Sequence, residues 1–301
     1  PVQKPGPKKI TPLRLQELKR DIRSLKHGKK RTSQTRRLYD KYRSGISRRE
    51  LNEMVRQIRY EHHREQASRR CEVTWRCPNL VWAQDGSEYR HHISFEKVHI
   101  QNLQDLCSRY KFVPLATEYM PCGEEIAGHL AYHFSKFGPP LFFKRDNAGN
   151  YNHLAVESVL EEAMVIPINN PVNRARYNGA IEHSQGEFKG YIRKWEQKAK
   201  TSAELSLLIE TASHDLNHQS RRSLAGRNAC QAYFGDRRLR YNKRRRKEVY
   251  DWIRDLAVEI SERSGKRVID PCAWRVAARK WMEKNDLIII RKSGKVLPHS
   301  S

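Results

Sequence analysis

Two short apolar runs, each ending in an aspartate, restrict this chain more than anything else in it. One is Val81-Trp82-Ala83-Gln84-Asp85, set between Pro78 and Gly86. The other is Leu141-Phe142-Phe143-Lys144-Arg145-Asp146, which follows Pro139-Pro140. Short apolar runs bounded by Pro or Gly read as buried strands. Each strand therefore delivers an acid at or near its end. The neighbouring sequence predicts further strands near 97–107, 111–118 and 164–168, with helices over 121–137, 152–163 and 202–219. That alternation is the pattern of an α/β domain.

A loop over 169–176 leads into a helix over 177–195. Ile181, Phe188, Ile192 and Trp195 fall on one face of it, and Glu182, Lys189 and Arg193 on a neighbouring stripe. Taken alone, this is an amphipathic helix with a solvated charged face. Its setting adds more, because 35 residues lie between Asp146 and Glu182. Asp85, Asp146 and Glu182 in this arrangement resemble the catalytic core of the DDE transposase and retroviral-type integrase superfamily. The resemblance spans about 78–235. It includes Asp146-Asn147, the run Asn178-Gly179-Ala180-Ile181-Glu182, and Lys189 seven residues on. Asn217-His218-Gln219 through Ala232-Tyr233 is similar to the tail of insertion-sequence transposases.

The resemblance implies a fold, a chemistry and partners. The fold is α/β, a ribonuclease H-like core with a mixed five-stranded sheet flanked by helices. The chemistry is phosphodiester hydrolysis that frees a 3′-OH at a transposon end, then transesterification that joins it to target DNA. Two Mg²⁺ (or Mn²⁺) ions would serve it, with Asp85 as bridging ligand and Asp146 and Glu182 as one-sided ligands. Hard oxygen donors suit these ions, and a metal pair can activate the attacking oxygen and stabilise the leaving one. Lys189 and Arg193 would touch the DNA end, and Asn147 would position substrate or a ligand. The partners implied are double-stranded DNA, both transposon ends and target, a dimer or tetramer of this chain, and accessory transposition proteins. The place implied is the bacterial cytoplasm, at the nucleoid. Many members place Gly directly after the Asp-Asn pair, whereas Ala148 precedes Gly149 here. Two other readings stay open: a catalytically inactive DNA-binding protein of the same fold, and a ribonuclease H-like nuclease without strand transfer. Asp105 is the chief rival to Asp85 as the first acid. Glu187, five residues past Glu182, is expected on another side of the helix.

Charge points to the same class of partner. The chain of 301 residues carries 59 Lys and Arg against 34 Asp and Glu, a net charge of +25. Such an excess favours a polyanion. No apolar segment is long enough for a membrane span, the longest aliphatic run being Leu287 to Ile290. No signal-peptide pattern opens the chain, and its first residue is Pro, as in a piece of a longer protein. His62, His63, Cys71 and Cys77 match no common zinc spacing.

The flanks divide into four pieces. Residues 1–30 read as a basic flexible arm, with a short helix over 11–25. Residues 31–70 read as a helix-turn-helix domain, in which Ser47-Arg48-Arg49-Glu50 forms a capping box at the start of the second helix. Ser47, Arg48, Arg49, Asn52 and Arg56 lie where a recognition helix would meet DNA. Residues 236–248 read as a basic linker that lies on phosphates through Arg244, Arg245 and Arg246; eight of the eleven residues over 237–247 are basic. Residues 249–301 read as a winged-helix-like region, two helices and a hairpin with a basic tip.

Overall fold

A strand buried on both faces can only lie inside a sheet, and Val81, Trp82, Ala83 and Gln84 are all buried. The computed structural model describes residues 10–25, 31–68, 71–90, 97–171, 179–195, 197, 199 and 201–292. It divides into two units, one of 1–73 with 290–301 and one of 74–289.

The first unit holds three helices, α1 (Pro12–Ser24), α2 (Arg31–Tyr42) and α3 (Arg48–Ser68). Leu18, Ile22, Leu38, Tyr42, Ile46, Leu51, Val55 and Ile58 form its core. The capping box is present: the Ser47 amide donates to Glu50 Oε2 (2.8 Å) and the Glu50 amide to Ser47 Oγ (3.2 Å). The arm expected over 1–30 is not an arm throughout. Leu18 and Ile22 bury α1 in the core, and Asp21 accepts from Lys41 Nζ (2.7 Å) and the Tyr42 hydroxyl (2.9 Å). Residues 1–9 lie outside the described residues.

After β1 (Cys71–Trp75), the second unit runs β2 (Val81–Arg90), β3 (Lys97–Asp105), β4 (Leu115–Thr117), α4 (Gly123–Phe137), β5 (Phe142–Arg145), α5 (Leu154–Glu162) and β6 (Ile166–Asn169). Then come α6 (Gly179–Trp195), α7 (Ser202–His218), α8 (Ala229–Gly235), α9 (Lys243–Arg263), α10 (Pro271–Lys284) and β7 (Ile288–Lys292). The five-stranded sheet has the order β4-β3-β2-β5-β6. β2 is antiparallel to β3 and parallel to β5, and β5 is parallel to β6, so the sheet is mixed as the resemblance implied. Alternate residues of β2 and β3 feed two cores. Trp82 and Leu103 pack with α4 and α5 through Ile126, Leu130, Phe134, Val156 and Leu160. Tyr89, Val98 and Ile100 pack with α6 and α7 through Ile192, Leu205 and Ile209. Each such aliphatic or aromatic side chain contributes about 1.5–3 kcal/mol on burial.

The C-terminal expectations need correction. Residues 243–248 are no linker; they open α9. Arg246 does not lie on phosphates: it is 4% exposed and donates to the carbonyls of Pro139 (2.7 Å), Pro140 (2.6 Å) and Tyr241 (3.0 Å). Nor do α9 and α10 form a separate winged-helix-like domain. Trp274 Nε1 donates to the Pro167 carbonyl (2.9 Å), and the Trp281 ring lies 6.0 Å from that of Phe142. These contacts cover the β6 edge, which would otherwise present an unpaired strand. β7 pairs with β1, and the second arm expected for the hairpin, 295–297, lies outside the described residues. Of the expected basic tip, Arg291 and Lys292 lie in β7, and 293–294 lie outside the described residues.

Candidate active site

Register sets the first two acids side by side. β2 and β5 pair in parallel with Ala83 opposite Lys144. Two residues on, Asp85, midway along β2, and Asp146, just past the carboxyl end of β5, stand at matching positions on one face of the sheet. Glu182 lies in the first turn of α6. One turn later Gln185 Nε2 donates to the Gly86 carbonyl (3.2 Å), which fixes α6 against β2 beside Asp85. The helix start at Tyr177 and Asn178 lies outside the described residues.

The three acids share one electrostatic field. Burial, and then the charges of Asp146 and Glu182, push the Asp85 carboxyl up to about 6, against the pull of the Gly86 amide that donates to Asp85 Oδ1 (3.0 Å). Lys144 faces the same field. Burial draws its ammonium down to about 8, and the charges of Asp85 and Glu182 resist that. Tyr151 closes the site from α5's approach, its hydroxyl raised by burial and by Asp85 and Asp146, and donating to Gln101 Oε1. Gly86 is needed here for space: a Cβ would stand 2.9 Å from the Tyr151 hydroxyl and 3.0 Å from Gln101 Oε1.

A carboxylate cluster held together against its own repulsion suits a hard cation. Among the described residues, no three His, Cys, Asp or Glu side chains gather closely enough to hold a single ion. Mg²⁺ asks for less, since it keeps several waters and is held by one or two carboxylates. Asp85, Asp146 and Glu182 could hold ions in that way, one or two carboxylates to each.

The other sequence candidates divide. Asn147 donates from Nδ2 to the Asn170 carbonyl (2.7 Å), and its amide donates to Asp146 Oδ1 (2.8 Å), so it fixes the loop that carries Asp146. Lys189 is half-buried and Arg193 exposed further along α6. Arg48, Arg49, Asn52 and Arg56 are exposed on α3, whereas the Ser47 side chain is taken up in the helix cap. Asp105 is no rival to Asp85. It is fully buried and accepts from the amides of Asn79, Cys107 and Ser108 and from Ser108 Oγ, as a structural acid does.

Glu187 does point away from Glu182, into a buried pair that sequence alone did not suggest. Lys111 Nζ reaches Glu187 Oε2 (2.7 Å) and donates to Ser184 Oγ (2.7 Å), while Arg221 Nη1 donates to Glu187 Oε1 (2.7 Å). Burial would raise the Glu187 carboxyl; Arg221 and Lys111 outweigh it and hold it down at about 2. Asn217 locks the same place, accepting from the Lys111 amide and donating to the Lys111 carbonyl. This network fixes the rotation of α6 and so the direction of Glu182. Lys144, Gln185 and Lys111 were missed because an isolated basic or amide residue in a strand or helix carries no signal of its own.

No protein-family model matches the chain, and no curated protein matches it. Solved structures do. The HTLV-2 integrase catalytic core domain in complex with magnesium is 17% identical, covers 52% of this chain and 97% of its own, and superposes with a TM-score of 0.44. The catalytic core domain of BIV integrase is 13% identical, with 52% and 95% coverage and a TM-score of 0.43. An intasome of simian T-cell lymphotropic virus in complex with the PP2A regulatory subunit B56 gamma gives 15% identity, 55% and 58% coverage and a TM-score of 0.46. Each of these matches covers about half of this chain.

Proposed function

We propose that this chain is a DNA transposase or integrase of the DDE type. It would bind transposon ends, expose a 3′-OH by hydrolysis and join that end to target DNA. One observation carries the reading: Asp85, Asp146 and Glu182 come together from two neighbouring strands and a helix, so that Asp85 feels both other charges. When bound, Mg²⁺ or Mn²⁺ ions would supply activation of the attacking oxygen and neutralisation of the leaving one. Asp85 would hold both ions, with Asp146 and Glu182 completing one each. Lys144 balances part of the acids' charge and keeps the cluster folded. Lys189 and Arg193, two and three turns below Glu182, would hold the backbone of the DNA end. α3 would read sequence through Arg48, Arg49, Asn52 and Arg56, while Arg244 and Arg245 hold phosphates. No Ser, Tyr or Cys nucleophile is required, because water and then the DNA 3′-OH attack.

The test is incubation of the purified chain with duplexes from the DNA that flanks its coding sequence, with Mg²⁺, Mn²⁺ or a chelator. The expected products are metal-dependent 3′-OH ends and end-to-target joints. Nicking without joints would replace the reading with a plain nuclease. Binding with no nicking in either metal would replace it with an inactive DNA-binding protein.

A further inference from the structure

The cavity at the opposite end of the parallel strands has no acid in its wall. It encloses about 350 Å³ between the end of α4 and the chain entering α9, and Lys136, Arg238, Arg240 and Arg246 line it with Asn79 and Tyr241. Arg246 is committed to the carbonyls of Pro139, Pro140 and Tyr241. Asn79 Nδ2 donates to the carbonyls of Pro139 (3.1 Å) and Leu239 (3.2 Å). The wall's carbonyl oxygens are thus occupied by internal donors and offer little to a cation.

Lys136, Arg238 and Arg240 are different. Among the described residues, no carboxylate forms an ion pair with any of them. Arg238 has its guanidinium 5.2 Å from the centroid of the Tyr233 ring and 5.4 Å from that of Phe234, and its side chain hydrogen-bonds the Tyr233 hydroxyl. Lys136 lies 4.8 Å from the Tyr132 ring. A guanidinium has five N–H donors and an ammonium three, so these contacts leave donors for an acceptor. The amino end of α9, capped by Asn242, adds partial positive charge beside Tyr241. The carboxyl end of α4 adds the opposite, which Lys136 in its last turn offsets.

We propose that this cavity is a second phosphate-binding site, which seats the phosphodiester backbone of duplex DNA away from the acids. The phosphate chemistry stands on the cavity alone; that the phosphate belongs to DNA rests on the proposed function. Asp85 lies midway along β2 and Asp146 just past the carboxyl end of β5, while Asn79 and Pro139 precede the amino ends of those strands. From Val81 to Asp85 is four steps of about 3.3 Å, so the two sites stand at least roughly 13 Å apart. Several phosphates of one strand lie within such a span. A free phosphate is best held in a closed pocket. Exposed Arg237, Lys243 and Arg244 neighbour the cavity's lining residues in the chain and extend the run of positive charge.

The experiment compares the full chain with Lys136→Ala/Arg238→Ala/Arg240→Ala and with the size-conserving Arg238→Gln/Arg240→Gln. Duplex affinity is measured over a series of salt concentrations without divalent metal, with circular dichroism as the check on folding. Each phosphate contact adds about 0.9 to the slope of log affinity against log salt, so the triple variant should lose about two to three and the double about two. The charge-preserving Arg238→Lys/Arg240→Lys should keep the wild-type slope. An unchanged slope in a folded Ala or Gln variant overturns the proposal. So does a second outcome: saturable stabilisation by inorganic phosphate that the variants lose while duplex binding is untouched, which would make the cavity a small-anion site. Cleavage is assayed separately. A chain that shows the slope change but never cleaves keeps this site and loses the catalytic reading; one that cleaves with the slope unchanged does the reverse.

Discussion

At the scale of single residues, Asp85 gives the sharpest consequence. Its carboxyl is raised from an ordinary value of 3.8 to about 6 by burial and by Asp146 and Glu182. Between those values the folded chain holds more protons than the unfolded one, so without metal this group makes stability fall as pH rises through that window. Asp85→Asn should therefore raise the melting temperature at pH 7, and the gain should vanish near pH 4. Mg²⁺ should raise the wild-type melting temperature at pH 7 and leave the variant's unchanged. Calorimetry at both pH values checks this; a variant less stable than wild type at pH 7 would count against the acids' mutual repulsion. Arg246 gives a second consequence, opposite to what its place in a basic run suggests. Arg246→Ala should destabilise the chain by about 1–3 kcal/mol, because it strips donors from buried carbonyls. Arg244→Ala, whose side chain is 90% exposed, should be neutral in a denaturant titration.

Elements differ in how far the sequence revealed them. β2 and β5 were legible because both faces are buried, so their apolar runs are continuous and stand between Pro or Gly. α6 was legible from helical spacing and α3 from its capping box, which the structure contains. α9 and α10 were misread because what they cover, the β6 edge at Pro167 and Asn169, lies about a hundred residues earlier. Nothing local tells a helix that covers a sheet edge from one in a separate domain. The acids were legible as a set only through their spacing; the Lys111–Glu187–Arg221 pairing that fixes α6 joins distant positions and left no pattern. For α3, the exposed face predicts function directly. Arg49→Ala and Asn52→Ala should each reduce discrimination between end DNA and scrambled DNA by about 1–3 kcal/mol if they meet base edges. Competition binding at fixed salt measures it, and equal loss on both DNAs would make α3 a phosphate holder instead.

Taken whole, the molecule combines a strongly basic surface with a small acidic focus. A net charge of +25 makes the phosphate contribution to binding large. If six to ten phosphates are neutralised, affinity should fall by about 10³–10⁵ between roughly 50 and 200 mM salt. A nearly flat response in a filter-binding titration would remove electrostatics as the source of affinity. Under the proposed function the acids would have the opposite role, repelling DNA until cations intervene, so binding and chemistry should separate on substitution. The direct measurement is nicking of duplex DNA in Mn²⁺ and Mg²⁺ by wild type, Asp85→Asn, Asp146→Asn and Glu182→Gln, with duplex affinity determined on the same preparations. Each variant keeps its side chain's shape and loses one charge. The expected result is binding at least as tight as wild type with nicking lost by a factor on the order of 10²–10³ or more in all three. Wild-type nicking by any one folded variant would contradict the assignment of that acid, and wild-type nicking by all three would place the chemistry elsewhere in the molecule.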